Sequence, residues 1–98
     1  MPPHPRARAQ PLTSSLGRDA TQYGPNCPQK ADGSNPFLPP GATSEDCLFL
    51  NVTVPTVANR RGAMPVLVWI HGGGLTQNAA RNYDGSKLAA EGAVVVTL

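Results

Sequence analysis

Apolar and polar positions alternate most clearly after Cys47, where Leu48, Leu50, Val52 and Val54 are separated by Phe49, Asn51 and Thr53. A period of two sends successive side chains to opposite faces of an extended chain, so residues 47–54 predict a half-buried strand that ends at Pro55. Residues 64–70 (Met-Pro-Val-Leu-Val-Trp-Ile) are apolar without alternation. Such a run suits an interior strand covered on both faces, with Pro65 tolerated at its first position, where it costs no ladder hydrogen bond. Residues 93–98 form a second apolar, β-branched strand, expected at the edge of the sheet with no visible continuation on its far side. Between them, Ser86-Lys87-Leu88-Ala89-Ala90-Glu91 predict a short helix, with Ser86 or Asp84 as N-cap and Gly92 as its stop. Strand, helix and strand make a βαβ unit with a right-handed crossover, so the expected class is α/β, with about three strands and one short helix.

Composition sharpens this division. Of 20 Ile, Leu, Val and Phe residues, residues 1–46 hold only Leu12, Leu16, Phe37 and Leu38, together with nine of the 11 prolines. That half has too few apolar side chains to form a core of its own. Residues 1–17 therefore predict a disordered or extended start, and the irregular chain continues to about Tyr23. Two turn clusters, Asp32-Gly33-Ser34-Asn35-Pro36 and Pro39-Pro40-Gly41, make residues 28–46 a surface loop bounded by Cys27 and Cys47. At 98 residues the chain suffices for one small domain that buries only ~60% of its unfolded surface, which excludes a large multi-domain enzyme within this length.

Charge narrows the partners. A net charge of +2 with 14% charged residues gives too weak a field to grip a nucleic-acid backbone, so no nucleic acid is expected. No apolar run approaches the ~20 residues of a membrane span, and Met1-Pro2-Pro3-His4-Pro5-Arg6 lacks the apolar stretch of a secretory signal.

The chemically suggestive stretch is Gly72-Gly73-Gly74, directly after Trp69-Ile70-His71. It places three residues without Cβ at the carboxyl end of a strand, where open α/β sheets bind ligands and where N–H groups can converge on an oxygen atom. A plain glycine-rich turn accounts for the same residues equally well. Phosphate binding is disfavoured: Gln77 stands where a dinucleotide fingerprint needs its third glycine, and Gly85-Ser86-Lys87 is not a Walker loop. None of Ser14, Ser15, Ser34, Ser44 or Ser86 lies in Gly-x-Ser-x-Gly, the turn that exposes a nucleophile above an α/β sheet. His71 is the one histidine within the predicted structure, too few for a metal site, and it reads as a donor that shapes the loop. Cys27 and Cys47 suit a disulfide across the turn-rich loop or two buried thiols, and spacing does not choose. Asn51-Val52-Thr53 matches a glycosylation sequon but falls inside a predicted strand, which makes it accidental.

Four stretches together resemble the type B carboxylesterase family, which includes the cholinesterases. Asp19-Ala20-Thr21-Gln22-Tyr23-Gly24-Pro25-Asn26-Cys27-Pro28-Gln29 is similar to the segment leading to that family's first disulfide cysteine. Glu45-Asp46-Cys47-Leu48-Phe49-Leu50-Asn51-Val52-Thr53-Val54-Pro55 matches a family pattern at every position. Met64 through Gly74 resembles the strand and oxyanion loop, and Tyr83-Asp84-Gly85-Ser86 through Val96 the helix and strand that follow.

The resemblance implies that residues 18–98 are a fragment of the amino-terminal part of a carboxylesterase domain, carrying part of an α/β-hydrolase sheet while the rest of the fold lies elsewhere. By resemblance, Gly73 and Gly74 supply two oxyanion donors within the loop that begins at His71 and Gly72, and Cys27 and Cys47 form a disulfide. The nucleophilic serine, the acid and the histidine base of the family would all follow Leu98, so the isolated chain is expected to be inactive. Two departures stand out: Leu75 replaces the usual aromatic after the glycines, and Asn78 stands near where another glycine is usual. The Cys27–Cys47 loop lacks the tryptophan that binds choline in cholinesterases, which disfavours a quaternary-ammonium substrate. The leading function is part of a serine carboxylic-ester hydrolase acting on small-molecule or lipid esters, without cofactor or metal. A non-catalytic cholinesterase-like adhesion protein is the alternative. A disulfide implies an extracellular or secreted parent.

Overall fold

A computed structural model describes residues 19–56, 60 and 62–98. The expected start over residues 1–17 lies outside them. Three strands, β1 (Asn51–Thr53), β2 (Val66–Trp69) and β3 (Val94–Thr97), form one mixed sheet in the order β1-β3-β2. Helix α1 (Ser86–Ala90) connects β2 to β3, preceded by a single 3-10 turn at Ala80–Asn82. The predicted βαβ unit is thus present: β2 pairs parallel to β3, Val66 opposite Val94 and Trp69 opposite Thr97, while β1 runs antiparallel on the other side, Asn51 opposite Thr97.

The residues of β3 suit the central position it occupies. Val94, Val95, Val96 and Thr97 are all β-branched, and such side chains fit the pleated surface between two neighbours. Val95 and Thr97 are buried, 3% and 5% exposed, and Ala89 of α1 packs into the same small core at 2%. Helix and strand approach closely because Gly85 precedes the helix. A Cβ built there would lie 2.8 Å from Val95 Cγ1, nearer than real methyl contacts allow. The N-cap is Gly85, neither Ser86 nor Asp84, and no side chain caps the helix; Asp84 instead closes a turn just before it, its Oδ1 accepting the Ser86 N–H at 2.9 Å and the Ser86 hydroxyl. The helix stops at Gly92, whose φ of 103° suits a residue without a side chain.

Three expectations need correction. Residues 64–70 do not form an interior strand: β2 lies at the edge, and all four of its residues are exposed. β3 inserts between β1 and β2, so residues 93–98 hold the centre of the sheet rather than an edge. The strand after Cys47 is shorter than its alternation, three residues, and its polarity is reversed. Phe49, Asn51 and Thr53 are the half-buried positions, while Leu48, Leu50, Val52 and Val54 are exposed. Register accounts for this: Asn51 and Thr53 share a face with Thr97 and Val95, the face packed against α1, whereas Val52, Val66, Val68, Val94 and Val96 share the opposite face, over which no described element lies.

The loop over residues 28–46 carries more order than its turn clusters predict. Asn26 and Thr43 form an isolated parallel bridge, with Asn26 N–H donating to Ala42 O and Ser44 N–H to Asn26 O, each at 2.9 Å. Asn26, at 4% exposure, also donates its side-chain amide to Pro40 O at 2.8 Å. Asn35 is buried as well, donating to Gln29 Oε1 and Lys30 O and accepting the Phe37 N–H. Buried amides take the place of the apolar side chains that this half lacks, each with its hydrogen bonds made. Cys27 and Cys47 close the loop as a disulfide, with Cα atoms 5.1 Å apart.

Candidate functional site

The glycine run leaves the sheet at the carboxyl end of β2. Pairing continues one step beyond the strand, Leu98 N–H donating to Trp69 O at 3.0 Å and His71 N–H to Leu98 O at 3.3 Å, so the chain is anchored up to His71. It then turns sharply. Gly73, Gly74 and Leu75 have φ values of 135°, 63° and 62°, three consecutive residues in a region that L side chains rarely adopt. Gly73 has a second requirement for glycine, since a Cβ there would collide with Gln77 O. Thr76 closes the turn, its N–H and hydroxyl both donating to Gly73 O at 3.2 Å. Among the described residues, neither the Gly73 nor the Gly74 N–H donates to a protein acceptor. Leu75 is fully exposed at the loop tip.

His71 Nδ1 lies 2.8 Å from Gly72 O. A carbonyl only accepts, so Nδ1 carries the proton in this contact and the ring acts on its own loop. Ser34 and Ser86 donate to Asp32 and Asp84, two residues before each, and Ser44 Oγ accepts the Asp46 N–H. Those hydrogen bonds belong to local turns and hold the Asp32 and Asp84 carboxyl groups below their usual pKa, as Thr21 does for Asp19. Among the described residues no histidine hydrogen-bonds to any of these serines, and no three His, Cys, Asp or Glu side chains gather as metal ligands.

The residue that the sequence marks only as a departure, Asn78, proves to be the hub. It is 6% exposed with a φ of 86°, a left-handed conformation that asparagine tolerates better than other side-chain-bearing residues. Its side-chain amide donates to Gly72 O at 3.1 Å and to the Tyr83 hydroxyl at 2.9 Å, and its Oδ1 accepts from Ala79 N–H and Asn82 Nδ2, both at 2.9 Å. Its main chain pairs with Gln29, two residues beyond Cys27. Gln29 escapes the sequence analysis as a site residue, because nothing local distinguishes a glutamine in a polar loop. Arg81 extends the same junction, donating to Pro40 O at 2.6 Å and standing 5.0 Å above the Tyr23 ring. Between the disulfide and the glycine loop opens a cleft of about 600 Å³ whose lining includes Cys47, Leu48, His71, Leu75, Thr76 and Asn78.

His71 and Leu75, on either side of the glycine run, reach that cleft, whereas Gly72, Gly73 and Gly74 do not line it. Among the described residues no helix is long and apolar enough to cross a membrane. The model of the carboxylesterase family matches residues 4–98. Rabbit (Oryctolagus cuniculus) liver carboxylesterase 1 is 42% identical over 103 aligned residues, which cover 94% of this chain and 18% of the relative. Rabbit cocaine esterase is 56% identical over 64 residues, 63% of this chain and 12% of its own, and the medium-chain fatty acyl-CoA hydrolase precursor of Anas platyrhynchos is 46% identical over 93, covering 83% and 16%. The chain spans less than a fifth of the length of these relatives. No solved structure matches it. On the family model and these identities, the chain belongs to the carboxylesterase family.

Proposed function

We propose that this segment supplies the oxyanion hole of a serine carboxylic-ester hydrolase of the α/β-hydrolase fold, with Gly73 and Gly74 as donors and the nucleophile, base and acid contributed by other parts of the protein. The unspent N–H groups of Gly73 and Gly74 carry this reading: they sit on a loop whose backbone is held elsewhere, at the end of a sheet strand. A hydroxyl attacking an ester carbonyl turns its oxygen into an alkoxide, and two N–H dipoles already in place stabilise that charge without reorganising at the moment of reaction. The substrates proposed are carboxylic esters, in keeping with the carboxylesterase and cocaine esterase names of two of the relatives. The Cys27–Cys47 disulfide supports an oxidising, extracellular or secretory compartment for the whole protein.

The test is hydrolysis of p-nitrophenyl acetate by the protein that carries this segment together with the remainder of its domain, compared with a Gly74→Pro variant, which removes one donor and, because proline cannot adopt the φ of 63° found there, also reshapes the turn. Loss of one oxyanion donor costs ~10² to 10³ in kcat. An unchanged kcat would overturn the assignment of the donor. A folded wild-type protein that hydrolyses no ester would instead support the non-catalytic, cholinesterase-like alternative. The 98-residue chain alone should show no turnover, because its described serines are committed to turns.

A further inference from the structure

We propose that Asn78 and Thr76 are the positioning residues of the glycine loop, each aiming one oxyanion donor by holding the carbonyl on the opposite side of the same peptide group. This inference deepens the reading above and rests on it for the role of the two donors, but its geometry stands separately. A peptide group is planar, and no cis peptide bond occurs among the described residues. In a trans peptide the C=O of one residue and the N–H of the next point in opposite directions, so fixing the oxygen fixes the hydrogen. The Gly73 N–H belongs to the peptide whose oxygen is Gly72 O, and that oxygen accepts from Asn78 Nδ2 at 3.1 Å and faces His71 Nδ1 at 2.8 Å. The Gly74 N–H belongs to the peptide whose oxygen is Gly73 O, held by the Thr76 N–H and hydroxyl. Each donor therefore points away from the group that holds its peptide.

The orientation of the Asn78 amide is set independently from both ends. Gly72 O can only accept, which requires the nitrogen there, while the Ala79 N–H can only donate, which requires the oxygen on the other side. Asn78 is in turn immobilised by Tyr83, Asn82 and Gln29. Its Cβ also stands 3.2 Å from where a Gly73 Cβ would lie, so it packs directly against the backbone of the loop. An asparagine at this position thus keeps the left-handed backbone that a glycine would provide and adds a hydrogen bond that glycine lacks.

Asn78→Gly is the informative variant, because glycine retains φ at 86° without strain and deletes only the side chain. In the complete enzyme, kcat for p-nitrophenyl acetate should fall about 10-fold with KM changed less than about twofold, His71 retaining part of the hold on Gly72 O. Affinity for a trifluoromethyl ketone, which forms a tetrahedral oxyanion adduct, should fall by the same factor as kcat/KM. Thr76→Val should act in the same direction through Gly74, and Thr76→Ser should restore activity. A merely structural role would lower the melting midpoint and leave kcat and ketone affinity of the folded enzyme unchanged, and that result would overturn the proposal. Residual dipolar couplings of the Gly73 and Gly74 N–H vectors, in protein isotopically labelled with heavy nitrogen at glycine, separate this outcome from failure of the hydrolase reading. Altered couplings in Asn78→Gly sustain the positioning role even if wild type hydrolyses nothing, and identical couplings overturn it.

Discussion

Gln29 and Asn78, 49 positions apart, exchange two hydrogen bonds: Gln29 Oε1 accepts the Asn78 N–H at 2.8 Å and Gln29 Nε2 donates to Asn78 O at 3.1 Å. A side-chain amide here does what a neighbouring strand does in a sheet, satisfying both main-chain groups of one buried residue. Because Gln29 lies two positions beyond Cys27, the pair ties the disulfide loop to the glycine loop. The same Oε1 also accepts from Asn35, which links the interior of that loop to the junction.

Gln29→Ala should therefore cost more than a loop substitution normally does. It leaves the Asn78 N–H and O without protein partners, and each unsatisfied buried group costs about 1–3 kcal/mol unless water reaches it. Amide hydrogen exchange at Asn78 should accelerate while exchange at Val95 changes less, reporting local opening. Equal protection at Asn78 in the variant would show that the pairing contributes nothing.

Reducing the Cys27–Cys47 disulfide, or replacing both cysteines by serine, should lower stability by about 3 kcal/mol, the loop-closure entropy expected for a ring of this size. Non-reducing peptide mapping of the folded protein should recover the two cysteines in one cross-linked species. Free, alkylatable thiols in oxidised folded protein would contradict the pairing.

Acid should loosen the start of α1 through Asp84. Hydrogen bonds from the Ser86 hydroxyl and N–H favour its carboxylate and hold its pKa below the ordinary 3.8. A lowered folded-state pKa contributes stability that is present above 3.8 and is lost as the pH falls through the folded value. Carbon NMR titration of the Asp84 carboxyl should show a midpoint below 3.8, with the Ser86 amide shift following the same curve. Asp84→Asn should abolish that titration of Ser86.

The open face of the sheet should make the isolated chain associate. Val52, Val66 and Val68 lie together on it, each more than half exposed, and β2 offers an unpaired edge beside them. Sedimentation of the 98-residue chain should show concentration-dependent association that Val68→Lys reduces. A monomeric chain with a cooperative melt, unaffected by that substitution, would show that this face needs no cover.

Local chemistry alone determined the elements of this protein. Runs of apolar and β-branched residues specify the strands at Val66–Trp69 and Val94–Thr97, Gly92 ends a helix wherever the chain goes next, and a glycine triplet permits left-handed turns before any partner is known. The family likeness was legible too, because the motif from Glu45 to Pro55 and the stretch from Met64 to Gly74 are contiguous in the chain. What no local pattern contained was the placing of one element against another. Alternation at residues 48–54 established that two faces exist, but whether Leu50 or Asn51 turns inward depended on which face received α1, a consequence of register with β3. An apolar run such as Val66–Trp69 records that both faces can be covered, not that β3 lies beside it on one side only. Gln29 was silent, and Asn78 stood out only as a departure from the family pattern, for the same reason: an amide becomes a structural residue only through the groups it meets, and these two meet across 49 positions. Short-range sterics and backbone preferences act within a few residues and are written in order along the chain, whereas hydrogen-bond satisfaction and face selection depend on distant neighbours that only the folded chain brings together.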